Sequence, residues 1–221
     1  MITVHHLENS RSQRILWLLE ELGADYEIKR YERDKKTSLA PPELKKVHPL
    51  GKSPVVEHNG QVIAETGAII EYLVDQHGGA LAPAPGASNY QLYKYWIHAA
   101  EGSYASVMMV SLLLRRMETA PMLFFVRPIA RRLTKGVRDG YLDHTMKALF
   151  DYAEATLGNA EWLAGDEFSA ADIIMSFPFE GFASRGNIAL YKNISAFLNR
   201  IHARPAYKKA VEKGGPYALI R

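Results

Sequence analysis

Apolar and polar residues alternate in the first segment of the chain, residues 2–7 (ITVHHL), which predicts a half-buried β-strand. Residues 11–22 instead place apolar side chains at the spacing of an α-helix, and Gly23 stands where helices commonly end. Residues 26–33 (YEIKRYER) predict a second strand. A strand, a helix and a strand within about thirty residues indicate a βαβ unit with a right-handed crossover.

The pattern changes in the next segment. Residues 40–54 (APPELKKVHPLGKSP) are rich in proline and poor in periodicity, so we predict a loop with at most one helical turn. Two short apolar segments then flank Asn59-Gly60, the dipeptide most typical of a β-hairpin turn. A helical pattern begins near Thr66 and stops at Gly78-Gly79.

The second half of the chain lacks strand signals. It follows a Gly/Pro/Ala connector at residues 78–88 (GGALAPAPGAS). Helical periodicity predicts two long helices, at residues 88–118 and 137–158, and two shorter ones, at 169–184 and 192–213, the last interrupted by Pro205. We therefore predict an α/β domain over residues 1–79, a linker over 80–87 and an all-helical domain over 88–221.

Composition narrows the chemistry. The chain has no cysteine, which excludes disulfides, thiolate metal sites and a thiol nucleophile carried by the protein. Any sulfur chemistry requires a ligand that brings the sulfur. The eight histidines show no ligand spacing such as His-x-x-x-His, so we expect no metal site.

Charge is unevenly distributed along the chain. The net charge is +3, with −2 in residues 1–80 and +5 in residues 81–221, much of it between Arg115 and Arg138. Basic helix faces are usually solvated, so we expect neither a nucleic-acid partner nor a membrane. The N-terminus lacks a basic segment followed by an apolar one, and no apolar run approaches eighteen residues. We expect a cytoplasmic protein.

The predicted first helix begins in a polar segment, residues 9–14 (NSRSQR). Ser10 and Gln13 have the spacing of a capping box. A helix N-terminus also favours an anion, and a nearby hydroxyl would add a hydrogen bond to it. Ser10, Ser12 and Asn9 all carry a polar side chain near this helix end, so we consider each a candidate donor.

Four motifs occur in the order found in one enzyme family: SRSQR at residues 10–14, HPLGKSPVVEHNG at 48–60, AETGAIIEYL at 64–73 and GDEFSAADI at 165–173. With these motifs the whole chain resembles a cytosolic glutathione transferase, most closely the serine-type, bacterial and fungal nitrogen-regulator-like or theta-like subgroup. The resemblance implies a thioredoxin-like N-terminal domain, an all-helical C-terminal domain that forms an electrophile pocket, and a homodimer. Glutathione is the implied co-substrate, with no separate cofactor.

The resemblance also assigns roles to individual residues. It implies that Ser10 hydrogen-bonds the glutathione thiolate, with Ser12 and Asn9 as alternatives. It implies that Pro54 follows a cis peptide bond, which turns the backbone of Ser53 toward glutathione. Lys52 and His48 are candidates for the glycyl carboxylate of glutathione, and Glu65-Thr66 for its γ-glutamyl end.

Further residues complete these expectations. The candidates for the electrophile pocket are His6, Leu7, Tyr104, Met108 and Arg115. Ser169 and Asp172 form a capping-box pattern, to which we assign a structural role.

The implied function is conjugation of the glutathione thiolate to apolar electrophiles, with glutathione peroxidase activity as a possible addition. An alternative from another class is a non-catalytic regulatory or partner-binding module with the same fold. A glutaredoxin-like oxidoreductase is a weaker third alternative, because that chemistry normally uses a protein cysteine.

Overall fold

A four-stranded mixed sheet organises the first part of the chain in the computed structural model, which describes residues 1–185 and 188–218. The spatial order is β2-β1-β3-β4. β1 is parallel to β2 and antiparallel to β3, and β3 is antiparallel to β4. The strands span Ile2–Leu7 (β1), Tyr26–Tyr31 (β2), Val55–His58 (β3) and Gln61–Ala64 (β4).

The turn between β3 and β4 is the predicted hairpin. Asn59 and Gly60 both have positive φ angles, 50° and 75°. Two consecutive positive φ values are characteristic of the type I′ turn, which matches the twist of the flanking strands. The Asn-Gly prediction is therefore confirmed.

Three helices accompany the sheet: α1 (Gln13–Glu21), the single turn α2 (Leu44–Val47) and α3 (Thr66–Gln76). α1 ends at Gly23 (φ 62°), whose N–H bonds the carbonyl of Glu20, while the N–H of Ala24 bonds that of Leu19. These two bonds define a Schellman motif and confirm the predicted helix end.

The start of α1 differs from the prediction. The helix begins at Gln13 with Ser12 in the N-cap position, and no side chain caps it. Ser10 and Gln13 are joined only through a backbone hydrogen bond, so the predicted capping box is wrong. Ser10 instead lies in the turn that precedes the helix, where its hydroxyl contacts Ser12.

Helices make up the described second part of the chain. α4 (Tyr90–Ala99) and α5 (Ser106–Thr119) are joined by a π-helical segment, Ala100–Ala105, and α6 (Arg127–Val137) and α7 (Asp143–Asn159) by another, Arg138–Leu142. The remaining helices are α8 (Ala170–Ala183), α9 (Lys192–Ala203) and α10 (Pro205–Gly214). Pro205 separates α9 from α10, as predicted.

The second long helix starts ten residues earlier than predicted, at Arg127 instead of residue 137. Nearly all of α6 is exposed, and Thr134 is its one buried residue. Its apolar residues Ile129, Leu133 and Val137 stand among arginines and face outward. Their four-residue spacing is itself a helical period, which the prediction overlooked.

The continuous helix Tyr90–Thr119 corrects the expectation about apolar segments. Its 30 residues are long and apolar enough to cross a membrane by length and composition, with 39% of the most apolar window buried inside the protein. The core helix of a helical domain meets the same criterion. Trp96, Ile97 and Tyr104 on this helix lie in the hydrophobic core.

One hydrophobic core connects the sheet to the helices. It includes Val4 and Val56 from the sheet, Trp17 from α1, and Trp96 and Phe179 from the later helices. The four strands all precede residue 65, and α4–α10 all follow residue 89. These observations establish the thioredoxin-like part followed by an all-helical part. The boundaries 1–79, 80–87 and 88–221 stay predictions, and residues 219–221 lie outside the described part.

The capping box at the start of α8 is present as predicted. Asp172 is fully buried and accepts the N–H groups of Ser169 (2.8 Å) and Leu163 (2.9 Å). Burial raises the pKa of Asp172 to about 6, although its hydrogen bonds favour the ionised form. This side chain therefore ties the loop before α8 to the helix itself.

We expect Asp172→Ala to lower the free energy of unfolding by about 2–4 kcal/mol, because two buried N–H groups lose their acceptor. Ser169→Ala should cost only about 1 kcal/mol, the usual value of a cap. Urea unfolding monitored by tryptophan fluorescence measures both changes. The exposed Asp166 of the same loop provides the control, since Asp166→Ala should leave stability within about 0.5 kcal/mol. Equal effects of all three substitutions would contradict this account.

Candidate active site

Three segments singled out by the sequence leave the sheet at the same edge. His5 of β1 lies opposite Val55 of β3, and Val55 lies opposite Ala64 of β4, with both strand pairs antiparallel. The end of β1, the start of β3 and the end of β4 are therefore neighbours. The turn before α1, the Ser53-Pro54 peptide and the N-terminus of α3 adjoin these strand ends, so the sheet register brings them together.

A cavity of about 80 Å³ lies at this edge. It is lined by all six residues that the resemblance assigns to glutathione: His48, Lys52, Ser53, Pro54, Glu65 and Thr66. Arg11, Leu50 and Ala64 complete the lining; they stand in the same three motifs, but the sequence analysis assigned them no role. Only the position of Arg11 directly after Ser10 could have suggested its place here.

The Ser53-Pro54 peptide bond is cis, as predicted. The Ser53 hydroxyl donates to the carbonyl of His5 (2.8 Å) and accepts the N–H of Leu7 (3.2 Å). Both partners belong to β1. The serine side chain therefore holds this loop against the sheet and leaves the backbone to line the cavity.

Glu65 and Thr66 begin α3 in an unusual backbone conformation. Glu65 occupies the N-cap position with φ 73°, in the left-handed region that non-glycine residues rarely adopt. Such strained positions concentrate at functional sites. Thr66 is the first residue of the helix, where the sequence predicted the helix to begin, and it is buried. Its backbone N–H is one of the donors left free at a helix N-terminus.

A chain of hydrogen bonds connects the turn before α1 to the last helix. The hydroxyls of Ser10 and Ser12 are 2.7 Å apart, and that of Ser12 is 2.9 Å from Nδ1 of His6. Nε2 of His6 is 3.0 Å from the carbonyl of Gly214 at the end of α10. A carbonyl only accepts, so Nε2 carries the proton and Nδ1 accepts the Ser12 hydroxyl.

This assignment separates the roles of the two serines. Ser12 is fully buried, and its hydrogen points to His6. Ser10 lines the cleft described below, and its oxygen accepts the N–H of Ser12 (3.2 Å). Asn9 also lines the cleft, but its side-chain oxygen accepts the N–H of Ala218 (2.7 Å). Among the three candidate donors, Ser10 alone combines a place in the cleft with a hydroxyl hydrogen that can turn toward a ligand.

His6 is held neutral by its surroundings. Desolvation by burial lowers its pKa to about 4, and the nearby Arg30 acts in the same direction, against the opposing effect of the Gly214 carbonyl. A neutral imidazole with one donor and one acceptor fits both of its hydrogen bonds. Both ring nitrogens of His6 are engaged inside the protein and His6 lines neither the cavity nor the cleft, so its place at an electrophile pocket stays a prediction.

A larger cleft of about 600 Å³ opens beside Ser10, between the turn before α1 and the helices α5 and α8. Its apolar lining comes from Leu39, Ala105, Met108, Met109, Leu112 and Phe177, and its cations are Arg11, Arg33, Lys52, Arg116 and Arg185. Met108 lies in this cleft, as the sequence predicted. No carboxylate lines it among the described residues.

The other predicted pocket residues lie elsewhere. Leu7 is buried against Tyr31 and Leu44 on the far side of β1. Tyr104 is fully buried and donates its hydroxyl to the carbonyl of Leu149 (2.6 Å), so it belongs to the core. Arg115 lines a neighbouring cavity and not the cleft itself. Helical spacing placed the last two on one helix, but it did not show which face meets the core.

The His6 pKa has a consequence for stability. Between pH 4 and 6.5 the unfolded chain binds more protons at this site than the folded chain, because the folded pKa is the lower one. The contribution of His6 to the free energy of unfolding therefore rises with pH, by up to about 3 kcal/mol across this window. We expect the difference between wild type and His6→Gln to grow accordingly in urea unfolding at pH 4.5, 5.5 and 6.5. A difference that is constant with pH would contradict a neutral buried His6.

Two family models match the chain: the glutathione S-transferase N-terminal domain at residues 1–75 and the corresponding C-terminal domain at residues 117–205. Glutathione S-transferase 3 of Schizosaccharomyces pombe is 38% identical over 217 residues, covering 96% of this chain and 88% of the relative. Glutathione S-transferase 1 of Saccharomyces cerevisiae is 34% identical over 224 residues, covering 96% and 95%.

Solved structures give the same result. A crystal structure of a glutathione S-transferase from Actinobacillus pleuropneumoniae superposes with a TM-score of 0.82 at 37% identity, covering 100% of this chain and 96% of that one. The resemblance drawn from the four motifs is thus confirmed at the level of the family and the fold. By sequence along nearly its whole length and by architecture, the chain belongs to the glutathione S-transferase family.

Proposed function

We propose that this chain binds glutathione across the edge of the sheet and transfers its sulfur to an electrophile held in the cleft. The observation that carries the proposal is the cavity of about 80 Å³ that collects residues from three separate motifs beside Ser10. Both fungal relatives are named glutathione S-transferases, which favours an enzyme over the non-catalytic alternative.

In this arrangement the ammonium group of glutathione has a carboxylate partner, and each of its carboxylates has a hydrogen-bond donor or a cation as partner. The Glu65 carboxylate accepts the γ-glutamyl ammonium, and Thr66 with its N–H donates to the γ-glutamyl carboxylate. The backbone of Ser53 pairs with the cysteinyl unit. Lys52 neutralises the glycyl carboxylate as a point charge, and His48 adds a donor. These assignments place the cysteinyl sulfur toward Ser10.

The proposed role of Ser10 is to stabilise the thiolate. Lowering a thiol pKa from about 8.5 by about two units requires roughly 2.7 kcal/mol. A helix N-terminus supplies about 0.3–1 kcal/mol, and a hydrogen bond to a charged acceptor about 1.5–3 kcal/mol. The two together are sufficient. Ser12 donates its hydrogen to His6. The Ser10 hydroxyl can therefore rotate its own hydrogen from Ser12 toward the sulfur while the Ser12–His6–Gly214 hydrogen bonds stay in place.

We expect Ser10→Ala to raise the pKa of bound glutathione by about 1–2 units and to lower kcat/KM at pH 6.5 by about 10- to 100-fold. Thiolate absorbance at 240 nm against pH measures the first change, and conjugation of 1-chloro-2,4-dinitrobenzene the second. Thr66→Val is the matched control, because it should raise the KM for glutathione and leave the thiol pKa unchanged. A thiol pKa that is the same in wild type and Ser10→Ala would overturn the role of Ser10. Ser12→Ala would then be the next variant to test.

We also propose that the chain works as a homodimer in the cytoplasm, with neither nucleic acid nor a membrane as a partner. Apolar side chains remain exposed on helices α4, α5 and α7. Among them are Tyr95 (α4), Leu113 and Met117 (α5) and Tyr152 (α7). Tyr95 and Tyr152 contact each other, and exposed apolar patches commonly mark a protein interface. A second copy of the chain that covers these side chains would remove them from water.

Light scattering should give twice the 24.8 kDa of one chain. The double substitution Tyr95→Glu/Leu113→Glu should shift the mass to that of one chain, because it buries two carboxylates at the interface. The control is Leu190→Glu, at an exposed leucine of the 3₁₀ turn Ile188–Leu190. A wild-type mass of one chain at micromolar concentration would contradict the dimer.

A further inference from the structure

A second cavity, of about 220 Å³, adjoins the cleft on the other side of Met108 and Leu112. These two residues and Arg185 line both spaces, so the cavity continues the cleft between α5 and α8. Its remaining lining is Ser111, Arg115, Arg138, Met146, Gly181 and Phe182. The proposed glutathione contacts use none of these side chains.

Three arginines, Arg115, Arg138 and Arg185, line this small space; Arg138 is half-buried, and Arg115 and Arg185 are exposed to solvent. No carboxylate lines it among the described residues. Arg138 has one acidic neighbour, with its Nε 3.4 Å from Oε1 of Glu118. Arg115 and Arg185 form no salt bridge within the described part of the chain. The group therefore carries an excess of two positive charges.

The rest of the lining is largely apolar, from Met108, Leu112, Met146 and Phe182. Like charges that line one space repel one another; solvent screens part of this repulsion, and an anion bound among the charges offsets more of it. Guanidinium groups bind carboxylates through two parallel hydrogen bonds, and a cleft of one sign concentrates ions of the other sign. An apolar body with one acidic group fits both features of this cavity.

We infer that the second substrate is an organic acid: an apolar electrophile whose carboxylate is bound by Arg115, Arg138 and Arg185. This inference rests on the proposed function and changes the expected electrophile from an apolar molecule to an amphipathic anion. The reactive carbon lies in the cleft near Ser10, and the carboxylate lies beyond Met108 and Leu112.

A matched pair of substrates isolates the charge. 4-Chloro-3-nitrobenzoylglycine carries a carboxylate, and 4-chloro-3-nitrobenzoylglycinamide carries a neutral amide of nearly equal shape. With either one, the glutathione thiolate forms a C–S bond at the chlorine-bearing carbon, and the C–Cl bond breaks as chloride leaves with the electron pair. The thiol proton goes to solvent. The distal group hardly changes the reactivity of the ring, so the ratio of the two kcat/KM values reports recognition.

We expect wild type to prefer the acid by about tenfold or more in kcat/KM, after correction for the uncatalysed rates. Arg115→Gln and Arg185→Gln should each remove most of this preference through the KM for the acid. In Arg115→Gln, whose arginine lies outside the cleft, kcat/KM for the amide should stay unchanged. Arg132→Gln is the matched control, because Arg132 is exposed on α6 and lies outside the cavity. It should keep the wild-type ratio.

Binding is measured separately from turnover. 3-Nitrobenzoylglycine and its amide lack the leaving group, so calorimetry with them tests the arginines even in an inactive protein. Tighter binding of the acid in wild type and its loss in Arg115→Gln and Arg185→Gln would support the inference.

Equal kcat/KM and equal affinity for acid and amide in wild type would overturn the inference, while turnover of the amide would leave the proposed function standing. A rise in the KM for glutathione in Arg185→Gln with an unchanged acid preference would also overturn it, because this arginine would then hold glutathione itself. Consumption of no thiol with either substrate would reject the proposed function, and calorimetry would still decide whether the cavity selects an acid.

Discussion

The position of α1 depends on a buried guanidinium. Arg14 is almost completely enclosed, and its Nη2 lies 2.6 Å from Oε1 of Glu101 in the π-helical segment Ala100–Ala105. Its Nη1 donates to the carbonyl of Ile174 in α8. Burial raises the pKa of Glu101, but Arg14 and Arg11 more than offset this and lower it. Removing one partner of such a pair leaves a buried unpaired charge, which typically costs about 3–5 kcal/mol. This interaction fixes the first helix against the helical domain, and with it the turn that faces the cleft.

The same turn is fixed from the opposite end of the chain. The hydrogen bonds from Ser10 through Ser12 and His6 end on Gly214, and Asn9 accepts the N–H of Ala218. The residues closest to the proposed sulfur position thus depend on α10 as much as on the sheet. A substitution near the C-terminus can therefore alter the orientation of the Ser10 hydroxyl without touching glutathione. The thioredoxin-like part supplies the proposed binding edge, and the helical part holds His6 and, through it, Ser12, which contacts the Ser10 hydroxyl.

Local sequence was sufficient for features that depend on neighbours in the chain. The Asn59-Gly60 turn, the glycine end of α1 and the Ser169–Asp172 box follow from short motifs, whereas the segments that meet around Thr66 were implied by the family resemblance. Short motifs did not predict contacts between residues that are far apart in the sequence. His6 meets a carbonyl 208 residues away, and Tyr104 is turned into the core by the packing of α7 and α8. Periodicity shows which residues share one face of a helix, but tertiary packing decides what that face contacts.

The basic segment between Arg115 and Arg138 illustrates the same limit, because its arginines separate into two groups in the fold. Arg127, Arg131 and Arg132 are exposed on α6, as expected of a solvated helix face, whereas Arg115, which is also exposed, and the half-buried Arg138 line the cavity beside the cleft. The second group matters for any reaction between two anions. A thiolate and a carboxylate about 8 Å apart repel by about 2 kcal/mol at an effective dielectric constant near 20. An acidic electrophile thus approaches a thiolate readily only where cations surround both charges. Arg11, Arg116 and Arg185 line the space in which the two would meet. The cleft is therefore suited to bring two negative partners together, which a purely apolar pocket would oppose.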